Sequence, residues 1–134
     1  MRALIASRRL EDRIDIPGPL DGAELAGRLN ASQVFVLPFS YEGFGMACLE
    51  AMAWGLPVVG STRGALREFV CDGVNGVLIP PGDKTAFAQQ VQRLHADRTL
   101  LAGYGQEALK TFHRRPRWRD GFHKIESFLL SMAK

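Results

Sequence analysis

Cysteine and histidine are scarce in this chain of 134 residues: there are two cysteines, Cys48 and Cys71, and three histidines, His95, His113 and His123. The cysteines are not spaced as a metal pair, and neither a His-x-x-x-His nor an Asp-x-Asp pattern occurs. No metal is therefore expected, either as a structural zinc or as a carboxylate-bound divalent cation. Long apolar runs are missing too. The longest stretch without a charge, residues 29–41, is interrupted by Asn30, Ser32, Gln33, Pro38 and Ser40, whereas a membrane span needs about 18 consecutive apolar residues. The opening MRALIASRRLEDR sets arginines on both sides of four apolar residues, too few for a secretory signal core of about 7–15. Without an export signal the thiols are expected to be reduced and the protein to be cytoplasmic. There is no internal repeat and no low-complexity tract.

What is present resembles the usage of an ordinary soluble globular protein, with 46% hydrophobic and 23% charged residues. The length accommodates one domain, enough to bury about two-thirds of the unfolded surface. Leu4, Ile5 and Leu10 among arginines read as the end of an amphipathic helix. Residues 13–16, Arg-Ile-Asp-Ile, alternate polar and apolar and predict a short strand, stopped by Pro17-Gly18-Pro19. Asp21 and Glu24 have capping-box spacing and open a helix carrying Leu25 and Leu29 that ends near Asn30. Residues 33–37 are a mainly apolar run ending at Pro38, as in a parallel strand covered on both faces. The pattern then predicts a helix over 45–54, a strand over 57–60, a short helix over 65–71, a turn at Asp72-Gly73 and a fourth strand over 76–80. From Lys84 onwards only helices are predicted. Phe87, Val91 and Leu94 share one face, Leu101, Leu109 and Phe112 another, and Phe122, Ile125, Phe128 and Leu129 a third.

This order gives an α/β fold, a Rossmann-like parallel sheet of about four strands with flanking helices and a helical ending over 84–134. Ligands of such sheets bind beyond the carboxyl ends of the strands, which points to residues 38–45. From Gly43 to Gly60 the sequence holds a single charge, Glu50. Met46, Leu49 and Ala53 have helical spacing and are expected to face the sheet, with Glu50 at the edge of that buried face. A carboxylate there costs several kcal/mol unless paired or hydrogen-bonded, either to Arg63 or Arg67 or to a ligand. Glu42 precedes the helix and serves either as a partner of its dipole or as a ligand group. Gly43 and Gly45 bracket Phe44 and allow backbone N–H groups to approach a ligand closely. A glycine-flanked loop entering a helix N-terminus suits a phosphate, and an adjacent carboxylate suits a hydroxyl-rich end. Together they suit a nucleotide-sugar.

The stretch Glu42-Gly43-Phe44-Gly45-Met46-Ala47-Cys48-Leu49-Glu50-Ala51-Met52-Ala53-Trp54-Gly55-Leu56-Pro57-Val58-Val59 resembles the E-x7-E signature of retaining GT-B glycosyltransferases, the group 1 glycosyl transferases. The resemblance runs over about residues 2–97, upstream through residues 13–18 and downstream through Gly64, Glu68, Asp72-Gly73, Gly76 and Pro80. Where the family often has two glycines, this chain has Gly64-Ala65.

The resemblance implies that residues 1–134 are part of a C-terminal, donor-binding domain, the C-terminal half of a GT-B fold. It implies metal-independent transfer with retention from a UDP-, GDP- or ADP-sugar, with no other cofactor. Glu42 would hydrogen-bond the donor sugar and act in catalysis. The amides of Gly43, Phe44 and Gly45 would lie along the sugar, and those of Met46 and Ala47 would meet the diphosphate. Glu50 would accept hydrogen bonds from the ribose hydroxyls, and Pro17 and Gly18 would border the nucleobase. The acceptor site and a catalytic histidine would come from an N-terminal domain that these residues do not include, so the chain alone would be an inactive nucleotide-sugar-binding half.

Other chemistries fit less well. A dinucleotide fingerprint needs a third glycine where Cys48 stands. A glycosidase acid–base pair needs room between two facing carboxyls, and Cys48 lies in an apolar helix with no histidine near it in sequence, as expected of a packed thiol. Residues 110–124 hold six basic residues against Asp120, with Trp118 and Phe122 between them. They form either a solvated helix pair or a contact with an anionic membrane, which would make the protein peripheral to it. Nucleic acid is not expected as a partner.

Overall fold

The computed structural model describes residues 1–115 and 118–132, and for Trp118, Arg119, Asp120 and Lys124 only the backbone. The chain divides into two compact units, Met1–Ala31 and Ser32–Lys134. The first holds α1 (Arg2–Ser7) and α2 (Gly22–Ala31). The capping box is formed reciprocally: the Glu24 N–H donates to Asp21 Oδ1 at 2.9 Å, and the Asp21 N–H donates to Glu24 Oε2 at 3.2 Å. Two of the orphan donors of α2 are satisfied in this way.

The strand expected over residues 13–16 does not form. Arg13 and Ile14 both donate their N–H to the Leu10 carbonyl in a turn, and Ile14 is exposed. Extended residues become a strand only where a neighbour completes the ladder, and residues 13–16 have none.

The second unit contains β1 (Phe35–Leu37), α3 (Met46–Ala53), β2 (Val58–Ser61), a 3₁₀ turn at Ala65–Glu68, β3 (Gly76–Ile79), α4 (Lys84–Ala96), α5 (Arg98–Arg114) and α6 (Trp118–Met132). Among the described residues its sheet therefore has three strands rather than four, all parallel, in the order β1-β2-β3. The central strand β2 is buried throughout, as its apolar sequence requires. Val58 packs with Cys48, Met52, Leu66, Phe69, Val70 and Ala108. Val59, its neighbour on the opposite face, packs with Val77, Ile79, Leu94 and Tyr104.

Two amphipathic faces differ from the expected ones. The buried residues of α3 are Cys48, Ala51 and Met52; of the expected face, Leu49 is half-buried and packs against the same core, while Met46 is 60% exposed. Both sets have i, i+3, i+4-type spacing in a helix that is apolar almost all round, so periodicity alone does not choose between them. On α6 the expected stripe Phe122, Ile125, Phe128 and Leu129 is exposed. Among the described residues no helix is long and apolar enough to cross a membrane.

Helix α5 passes close to the turn that enters β2. A Cβ on Gly105 would lie 2.6 Å from the Gly55 carbonyl oxygen, whereas one on Gly103 would meet nothing within 4 Å. Gly105→Ala is accordingly expected to destabilise the protein by about 1–3 kcal/mol through overpacking. Gly103→Ala, two residues away on the same helix, should stabilise it by about 0.5–1 kcal/mol through helix propensity. Urea denaturation of the two variants beside the wild type measures both.

Candidate functional site

Beyond the carboxyl end of β1 the chain leaves the sheet at Pro38, turns through residues 39–45 and enters α3. Gly45 is the N-cap of α3 with φ +82°. A side chain there would be strained by that φ and would also collide with Phe69, whose Cζ lies 2.6 Å from the position of a Cβ. The same Phe69 ring lies beneath the Arg115 guanidinium, 5.2 Å from its centroid, in cation–π contact.

No side chain caps α3, so the N–H groups of Met46, Ala47 and Cys48 point out of its N-terminus with the positive end of the helix dipole. The preceding amides are used differently. Glu42 Oε1 accepts from the Gly45 N–H at 2.9 Å and from the Phe44 N–H at 3.2 Å. The Gly45 amide first, then those of Phe44 and Gly43, hold the Glu42 carboxyl below its ordinary value of 4.5. The carboxylate thus organises its own loop, and two amides expected to lie along a ligand are engaged by it.

A second turn is fastened to the first. Glu42 and Gly64 form a parallel β-bridge, and the Ala65 N–H donates to the Glu42 carbonyl at 2.9 Å. Gly64 has φ +89°, and a Cβ there would overlap the Glu42 backbone. The turn is braced from within by buried Ser61, whose hydroxyl accepts from the Arg63 N–H at 3.1 Å. Ala65, in place of a second glycine, is half-buried and leaves these bonds intact.

Glu50 lies on α3, one helical turn beyond Met46, and is exposed. The burial expected for it is absent, because the face of α3 that meets the core is the one carrying Cys48, Ala51 and Met52. Neither Arg63 nor Arg67 pairs with it among the described residues. Glu42 through Ala47 and Glu50 are thus gathered on one loop and helix, while Pro17 and Gly18 belong to the other compact unit and are exposed. Burial pushes the Cys48 thiol up to about 12, with the Glu42 charge adding to the effect. It stays protonated at neutral pH, as a packed thiol does and a nucleophile does not. Among the described residues no group of three or more His, Cys, Asp and Glu side chains is gathered as a metal site.

One residue that sequence reading passed over supports the site from behind. Asn75 is buried; it donates to the Phe69 carbonyl and to Thr111 Oγ1, both at 2.9 Å, and accepts from the Cys71 N–H at 2.8 Å. It ties the turn carrying Phe69 to α5, so its amide stabilises the aromatic floor beneath Gly45. Its only signal in sequence was its place between Gly73 and Gly76 in a turn.

The profile described as glycosyl transferases group 1 matches residues 1–97. The chain is 36% identical over 115 residues to a D-inositol 3-phosphate glycosyltransferase of Xylanimonas cellulosilytica, covering 84% of this chain and 28% of that protein. It thus spans a little over a quarter of that relative's length. Among solved structures it is similar to the C-terminal domain of a glycosyl transferase group 1 family protein, LpcC, from Francisella tularensis, with a TM-score of 0.77 and 26% identity over 85% of this chain and 59% of that one. It is also similar to Anabaena Alr3699/HepE solved in complex with UDP-glucose, with a TM-score of 0.84 and 26% identity over 97% of this chain and 35% of that one.

The depressed pKa of Glu42 makes a test of the loop possible. Its folded value lies below the unfolded one, so its contribution to stability is present above the unfolded value, near 4.5, and is lost as pH falls through the folded value. Glu42→Gln is therefore expected to lower Tm at pH 7, and the difference from wild type should shrink as pH falls below 4.5. Thermal melts at pH 7 and pH 3 measure it.

Proposed function

The chain belongs to the glycosyl transferases group 1 family, and from that premise we propose that the segment 42–50 holds the donor, a nucleotide-diphospho-sugar, for retaining, metal-independent transfer of its sugar to an acceptor. The observation that carries this reading is the uncapped N-terminus of α3 set beside a loop organised by one ionised carboxylate. The likeness to a protein solved with UDP-glucose supports it. The donor would be a UDP-, GDP- or ADP-sugar.

In this mechanism the amides of Met46 and Ala47 receive the diphosphate. As the bond from the sugar to the diphosphate breaks, negative charge grows on the leaving phosphate, and these fixed N–H groups and the helix dipole stabilise it without reorganising. Glu42 faces the sugar, where its charge stabilises the positive character developing on the ring. The Phe44 and Gly45 amides are held by the Glu42 carboxylate, so they line the sugar only as Glu42 turns from them to the sugar hydroxyls. Glu50, exposed one helical turn beyond Met46, accepts from the two ribose hydroxyls. Its exposure suits that role, since a carboxylate committed to a core partner would not be free for it. By resemblance alone, Pro17 and Gly18 border the nucleobase.

The acceptor site and the catalytic histidine would belong to an N-terminal domain beyond these 134 residues, and the chain by itself would then bind donor without turning it over. A cytoplasmic protein peripheral to the membrane is the corresponding location. Lys110 and Arg114 are exposed and would contact an anionic surface together with the apolar stripe of α6. Arg117, in the same basic segment, lies outside the described residues.

Calorimetric titration of the chain with UDP, GDP and ADP tests the donor site. Glu50→Ala is expected to weaken the nucleotide that binds by about 1.5–3 kcal/mol, the worth of hydrogen bonds to a charged group, and to weaken it more than Glu42→Ala does. The reverse order would exchange the ribose and sugar assignments. For the membrane contact, the chain should co-sediment with anionic liposomes at low salt and be released as salt is raised. Failure to sediment would end that part of the proposal.

A further inference from the structure

The two loops that close the candidate site are poor in positive charge. Between residues 38 and 68 there are three acids, Glu42, Glu50 and Glu68, and two bases, Arg63 and Arg67. Arg67 lies in the 3₁₀ turn beyond the point where the loops are joined. Arg63 lies at that point. Its own N–H is fastened to Ser61 Oγ, its neighbour Gly64 bridges to Glu42, and Ala65 donates to the Glu42 carbonyl. Its backbone is thus fixed beside Glu42, the residue proposed to meet the sugar. The Arg63 side chain is exposed and, among the described residues, makes no ion pair with any of the three acids.

A diphosphate brought to the N-terminus of α3 meets the charge of Glu42. A guanidinium carried on a backbone fixed beside Glu42, and in no ion pair among the described residues, offers two parallel donors to an oxyanion. Resting on the donor-site reading above, we propose that Arg63 is a donor-binding residue that takes an oxyanion at the sugar end of the nucleotide-sugar. That oxyanion is either the β-phosphate or a carboxylate carried by the sugar.

The test is calorimetric titration of the 134-residue chain with UMP, UDP and UDP-glucuronate, comparing wild type, Arg63→Gln and, as a charge-matched control on α4, Arg93→Gln. The expected result is a loss of about tenfold in affinity on Arg63→Gln. If the partner is the β-phosphate, UDP is weakened and UMP is not. If it is a sugar carboxylate, UDP-glucuronate is weakened and both UMP and UDP are not. An equal loss on UMP, a similar loss in Arg93→Gln, or no change with any of the three ligands while Glu50→Ala still weakens them, overturns the role of Arg63 and leaves the donor site standing. Failure of UDP, GDP and ADP alike to bind a folded sample would overturn the donor-site reading itself.

Discussion

The close approach of Gly64 to the backbone of Glu42 is the contact on which the arrangement at the strand ends depends. It has no room for a Cβ, and it joins the loop after β1 to the turn after β2 through a bridge and the Ala65 N–H bond. Once it forms, Glu42 has little backbone freedom, and its carboxylate reaches the Gly45 and Phe44 amides at the mouth of α3. Buried Leu66 and Phe69 follow directly after the bridge and close over Gly45 from beneath. A loop that would otherwise be free is therefore held at its carboxylate, at its backbone and at its floor.

The loop makes sparing use of charge. The Gly45, Phe44 and Gly43 amides favour the charged form of Glu42, while burial favours the neutral form of Cys48 in the first turn of α3. The same helix N-terminus therefore offers hydrogen-bond donors and one fixed negative charge, and no nucleophile. A binding site that stabilises a charged leaving group needs preorganised donors more than a reactive side chain. Asn75 extends this rigidity inward, since it links the Phe69 turn to α5 through bonds that satisfy its amide group.

Local rules read the chain well where one chemistry decided the outcome. Pro38, Gly55 and Pro57 marked ends, Asp21 and Glu24 made the predicted capping box, and the three apolar runs became three parallel strands. They failed where a partner elsewhere decided. Residues 13–16 alternate as a strand does but have no ladder neighbour. Helix α3 is apolar on so many sides that Met46, which is exposed, was as plausible an inward residue as Cys48 and Met52, whereas Leu49 packs against the core as expected. Glu50 looked costly only because of that misplaced face.

The sequence by itself determined the parallel α/β order, the glycine and glutamate pattern of residues 42–50 and the family to which the chain belongs. These follow from spacing and from residue types whose backbone limits are local. The tertiary structure decided which face of α3 is inside, that Glu42 spends its carboxylate on its own loop, and that Arg63 stands beside it. The Glu42 bonds are local, to amides two and three residues on. The loop that makes them is nevertheless held, as the α3 face and Arg63 are, by contacts between segments far apart in sequence, through the pairing of β1 with β2 and a backbone approach that only a glycine permits.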